Sequence, residues 1–161
     1  MTASVRSATL PPFSALHRRV RQGDFLDCYA VASDMAPRQA AEVITDFPGW
    51  ARMLVQLRRA LTAPFGLDNE GPQVPDKVGI FPVEAMTDSE LIAGFDDKHL
   101  DFRVSVTASD GRVALATWAH PHNFGGRAYL ALIYPFHVLI VRNALARVAH
   151  RQPLVKPPQT P

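Results

Sequence analysis

Leu100-Asp101-Phe102-Arg103-Val104-Ser105-Val106-Thr107-Ala108, the turn Ser109-Asp110-Gly111, and Arg112-Val113-Ala114-Leu115-Ala116-Thr117-Trp118-Ala119 decide the fold class. In the first segment Leu100, Phe102, Val104, Val106 and Ala108 share one face of an extended chain. His99, Asp101, Arg103, Ser105 and Thr107 share the other. Such period-two alternation predicts a strand with one buried and one wet face, as antiparallel sheets allow. Asp110-Gly111 predicts a hairpin turn. On the returning strand Val113, Leu115, Thr117 and Ala119 form one face, and Ala114, Ala116 and Trp118 the other. Upstream, Leu91, Ala93 and Phe95 alternate with Glu90 and Asp96, which extends the meander to 89–96.

A long helix follows. His120-Pro121-His122 closes the strand, and Asn123 is placed to cap a helix opening Phe124-Gly125-Gly126-Arg127. From Ala128 to Val141 nearly every residue is apolar. A stretch this short falls below what a bilayer span needs, so it is expected as a core helix and not a membrane span. Because it is apolar all round, it should be covered on more than one side. A helix over 124–149 is about 39 Å long, and a ten-residue strand is roughly 33 Å. It can therefore lie across the sheet, with a bend at Pro135.

Upstream, 13–22 holds a short helical turn and Phe25–Ser33 a strand. A short amphipathic helix carries Ala40, Ala41, Val43, Ile44 and Phe47 after Pro37. A second helix over 48–63 has the stripe Trp50, Met53, Leu54, Leu57 and Leu61, with Arg52, Arg58 and Arg59 facing outward. Residues 66–77 form a long loop. Val78–Met86 is a strand that Pro82 places at an edge or bulge. The expected organisation is a mobile N-terminal arm over 1–12, one domain over 13–150, and a disordered Pro-rich tail over 151–161.

At 161 residues the chain is large enough to bury a core. The formal charge of +2 and the scattered arginines do not make the dense basic face of a nucleic-acid binder. A single cysteine, Cys28, excludes an intrachain disulfide and a multi-cysteine metal site; a buried structural thiol is expected. No continuous apolar leader is evident, so a cytoplasmic location is expected.

The order strand, helix, helix, antiparallel strands, long helix resembles the helix-grip superfamily of START lipid-transfer domains and pollen allergens. Several motifs are similar to a bacterial family catalogued as domain of unknown function 2867. They are Asp27-Cys28-Tyr29-Ala30-Val31, Pro48-Gly49-Trp50, Leu57-Arg58, Phe65-Gly66-Leu67, the run from Asp96 to Arg103, Asn123-Phe124-Gly125-Gly126-Arg127, and Pro135-Phe136-His137. The resemblance spans roughly 10–148. It implies an α+β fold, a curved antiparallel sheet gripping a C-terminal helix, and no established activity.

Four polar groups are candidates for chemistry. His99, Asp101 and Arg103 make a row on the outer strand face, either an acid/base or anion-recognising row or a wet face with cross-strand ion pairs. His120 and His122, with Asp96, Asp97 or His99 as third ligands, could approach a zinc site, but the spacing is a weak signal for three or four convergent ligands, and loop histidines near a helix cap are expected, with no metal. The glycines after Asn123, the helix dipole and Arg127 suit an anion, or simply a capped helix packed close on the sheet. Tyr134 and His137 are polar exceptions in the apolar helix, either lining a pocket with Thr117 or each satisfied singly in the core.

The leading expectation is a small-molecule-binding domain without a cofactor. An apolar or amphipathic ligand would lie against Phe102, Val104, Leu115, Leu132 and Phe136, with Thr117, Arg127, Tyr134 and His137 orienting its polar end. One alternative is a cyclase- or hydrolase-like enzyme using His137 as acid/base and Arg127 as oxyanion partner in the same cavity. Another is a homodimeric interaction module that shares the apolar helix and has no ligand.

Overall fold

The computed structural model describes residues 4–65 and 73–151. Its strands are β1 (Arg6–Ser7), β2 (Phe25–Ala32), β3 (Lys77–Val78), β4 (Phe81–Met86), β5 (Glu90–Asp96), β6 (Leu100–Ser109) and β7 (Arg112–Pro121). Its helices are α1 (Pro37–Thr45), α2 (Gly49–Thr62) and α3 (Phe124–His150). The strands form one antiparallel sheet in the order β1-β2-β7-β6-β5-β4-β3. With α3 packed on one face the architecture is α+β, as the alternation predicts.

Local chemistry sets the register. Ser109 pairs with Arg112 across a two-residue loop in which Asp110 and Gly111 both have positive φ, 52° and 69°. That is the conformation a twist-matched hairpin requires, and Asp-Gly adopts it cheaply. Pro82 lies where β4 meets the short strand β3, and the β4–β5 ladder slips between Val83 and Ala85. The β6–β7 register then puts Phe102, Val104, Val106, Leu115, Thr117 and Ala119 on one inner face.

The inner face packs on α1 and on the second half of α3. Val141, Ala144, Leu145 and Val148 of α3 are buried with Ala40, Ala41 and Ile44 of α1 and Val113 and Leu115 of β7. Each fully buried Val or Leu contributes roughly 1.5–3 kcal/mol. Arg147 reinforces the join: its Nη2 donates to the carbonyls of Val43 and Ile44, each at 3.1 Å, capping the last turn of α1.

The outer face is not wet. Small residues (Ala30, Ala114, Ala116) leave it shallow, and Leu10 and Leu16 settle on it with Cys28 and Trp118. Arg6 pairs with Ala30 as an edge strand. The expected arm therefore packs against the sheet from residue 5 onward, and Arg103, Ser105 and Thr107 are buried. Glu90, also buried, accepts from Ser14 Oγ at 2.5 Å, Ser105 Oγ at 2.6 Å and the Ala15 amide at 2.9 Å.

The chain from 152 onward, most of the loop at 66–77, and the side chains of Leu54, Leu57, Leu61, Arg58 and Arg59 lie outside the described residues.

Candidate functional site

Two positions fix the start of α3. Asn123 Oδ1 accepts the Gly126 amide at 2.9 Å, the expected cap. Gly126 sits so close to the β5–β6 turn that a Cβ there would meet the His99 carbonyl oxygen at 2.4 Å. From Arg127 to Ile140 no residue of the helix is buried, in contrast to the half beyond Val141. Pro135 lies in this first half and cannot donate to the Ala131 carbonyl.

Between that half and the sheet lies a cavity of about 210 Å³. Phe102, Val104, Leu115 and Thr117 wall it on the sheet side, and Tyr129, Ile133, Tyr134 and His137 on the helix side. Ile44 of α1 and Phe81 of β4 also border it. Phe102 meets Phe81 and Phe95 edge-on, with ring centroids 5.7 and 4.7 Å away. Tyr134 lines the cavity yet is 44% exposed, so a mouth lies beside it.

The polar lining residue His137 is held from β2. Its alternation sends Phe25, Asp27, Tyr29 and Val31 inward, and Asp27 stands opposite Thr117 in the ladder. His137 Nε2 lies 2.9 Å from Asp27 Oδ2, and both side chains are largely buried. The other carboxylate oxygen, Oδ1, is buried with no protein partner. Phe25 packs edge-on against Tyr134 and His137, at 5.8 and 5.7 Å. Burial first, and then the Asp27 charge, push up both the Tyr29 phenol and the Cys28 thiol, the latter to about 11. A carboxylate that orients an imidazole in this way is also how a general base is held.

Of the residues expected at a ligand site, Phe102, Val104, Leu115, Thr117, Tyr134 and His137 do line the cavity. Arg127, Leu132 and Phe136 are exposed and do not border it. Leu132 and Phe136 are each one residue, about 100° of helix, away from the lining Ile133 and His137. They join Phe124 and Leu139 in an exposed apolar row, at 85% for Phe124 and 66% for Leu132. By length and composition α3 could cross a membrane, but its second half is packed into the core. Asp27 has no motif in the sequence that marks it as a site residue; its one signal is an acidic side chain on the apolar phase of β2.

The outer polar groups pair locally. Arg103 does not pair with Asp101: it lies across Gly94, which has no side chain to obstruct it, and reaches Asp96 at 2.8 Å as well as Glu84, which also binds Arg19. Burial opposes the charge on Glu84, but hydrogen bonds from Arg103 and Arg19 outweigh it and hold the carboxyl below its usual range. His120 Nδ1 meets Asp24 at 2.5 Å and His122 Nε2 meets Asp101 at 3.0 Å, so each imidazole has its own carboxylate. Among the described residues no group of three or more His, Cys, Asp or Glu could hold a metal ion.

No curated protein and no solved structure matches the chain. The model of the family described as a protein of unknown function, DUF2867, matches residues 19–144, and on that match over most of its length the chain belongs to that family.

Proposed function

We propose that the protein holds a small apolar or amphipathic molecule between its sheet and the first half of α3. The observation that carries this reading is the cavity of about 210 Å³. Its walls are mostly apolar and its mouth opens beside Tyr134, so an apolar guest that displaces water from it gains roughly 25 cal/mol per Å² of apolar surface buried. An apolar cavity of roughly 150 Å³ takes benzene, so this one suits a substituted ring or a short branched chain. The order of elements, which resembles that of helix-grip proteins, supports the same reading by analogy of fold alone.

The test is a thermal-shift panel of small apolar compounds, with native mass spectrometry of freshly purified protein. Several compounds are expected to raise Tm, and Val104→Phe, which fills the space, is expected to abolish the shift while the protein stays folded. A panel with no shift and no co-purifying mass would sink the reading.

The exposed row Phe124, Leu132, Phe136 and Leu139 favours a second reading, in which two copies share this face. Light scattering would then give a dimer mass that Leu132→Lys reduces to a monomer. A monomer at every concentration removes this reading and leaves the cavity reading untouched.

A further inference from the structure

We propose that the guest of this cavity is electrically neutral and carries a hydroxyl at one end, which the His137 imidazole accepts. This rests on the binding reading above and names the class of molecule for the same site.

A carboxylate oxygen can only accept, so the 2.9 Å contact to Asp27 Oδ2 places the proton of a neutral His137 ring on Nε2. Nδ1 is then a lone-pair acceptor that the contact to Asp27 does not use. His137 lines the cavity, and Thr117 stands across the ladder from Asp27, so the acceptor sits at the β2 end. The other end of the space reaches Phe81 on β4, four strand spacings away, or roughly 19 Å. That end suits an apolar tail.

Charge excludes the common alternative, an acid. Among the described residues no lysine or arginine lines the cavity, and Arg127 is exposed outside it. Behind His137 stands Asp27, whose Oδ1 is buried without a protein partner and which, among the described residues, pairs with His137 and with no arginine or lysine. A carboxylate or phosphate guest would lose its water and meet a second negative charge with nothing to balance either. A hydroxyl loses little and gains an acceptor.

The experiment compares 4-propylphenol, 4-propyltoluene and 4-propylbenzoate, which have similar shapes, by isothermal titration at pH 8. The phenol is expected to bind about tenfold more tightly than the hydrocarbon, the value of one well-made hydrogen bond, and the benzoate more weakly than either. His137→Phe should bring the phenol down to the hydrocarbon's affinity. Asp27→Asn, which keeps the shape but removes the charge, should narrow the gap between phenol and benzoate. If the hydrocarbon binds as well as the phenol, or the benzoate binds best, the hydroxyl assignment is overturned while the cavity reading stands. If none of the three binds, both fall.

Discussion

Cys28 lies on the outer face of β2 beneath the N-terminal segment, buried and with a thiol raised to about 11. A thiol reagent at pH 8 should therefore modify the native protein only as fast as it unfolds, and denaturant should expose one full equivalent. Rapid labelling of the native state would contradict this burial. Gly126 is the opposite case, a residue defined by what it lacks. Gly126→Ala forces a methyl group against the His99 carbonyl and is expected to cost about 1–3 kcal/mol, seen as a lower denaturation midpoint with an unchanged slope. At this scale the sequence was legible where pattern and chemistry agreed: the phases of β6 and β7 placed Phe102, Val104, Leu115 and Thr117 correctly. It was not legible for Asp27, because its partner His137 is far away along the chain and neither residue type announces the other.

Among the elements, α3 is the one whose role the sequence left half determined. Its length, its cap at Asn123 and its place on the sheet followed from the residues. Its facing did not, because a helix apolar all round carries no signal for which stripe turns inward, and Leu132 and Phe136 were as plausible as Ile133 and His137. The close contact at Gly126 and the buried Val141, Ala144, Leu145 and Val148 set the rotation. The join between α3 and α1 is polar as well as apolar. Burial holds the Arg147 guanidinium below its usual range, yet it is the group that caps α1. Arg147→Met should keep the alkyl packing, lose those charged hydrogen bonds, and lower stability by about 2 kcal/mol. Hydrogen exchange should also divide the helix, with amides beyond Val141 protected to near the global limit and those between Tyr129 and Ile133 exchanging faster.

The whole molecule is a sheet covered on both faces, and the outer cover was the feature least visible in the sequence. Segment 8–20 has little periodicity of its own. It packs because the sheet beneath it is made of small residues, a property of two strands seen together. That cover depends partly on ionised carboxylates. Asp24 is disfavoured as an anion by burial, but bonds from His120, the Arg21 amide and Trp118 bring it below its ordinary 3.8, and Glu84 lies below its ordinary 4.5. Each contributes stability above its ordinary value and loses it as pH falls through the lowered folded one. Glu84→Gln should therefore lower Tm at pH 7, and the gap to the parent protein should close as the pH falls below about 4.5. A gap independent of pH would show that the charge plays no part. His122 runs the other way. Its bond to Asp101 raises it above 6.5, so its contribution is complete below that value and fades as pH rises through the raised one.

Pressure responds to room, and the space under α3 has a consequence there. A folded chain that encloses voids occupies more volume than its unfolded ensemble, so compression favours unfolding. Apolar walls hold water poorly, so whatever part of this space stays dry adds to the volume lost on unfolding, which scales with internal void. The unoccupied protein should thus give way to hydrostatic load at modest pressures for its size, and an occupied one should resist it.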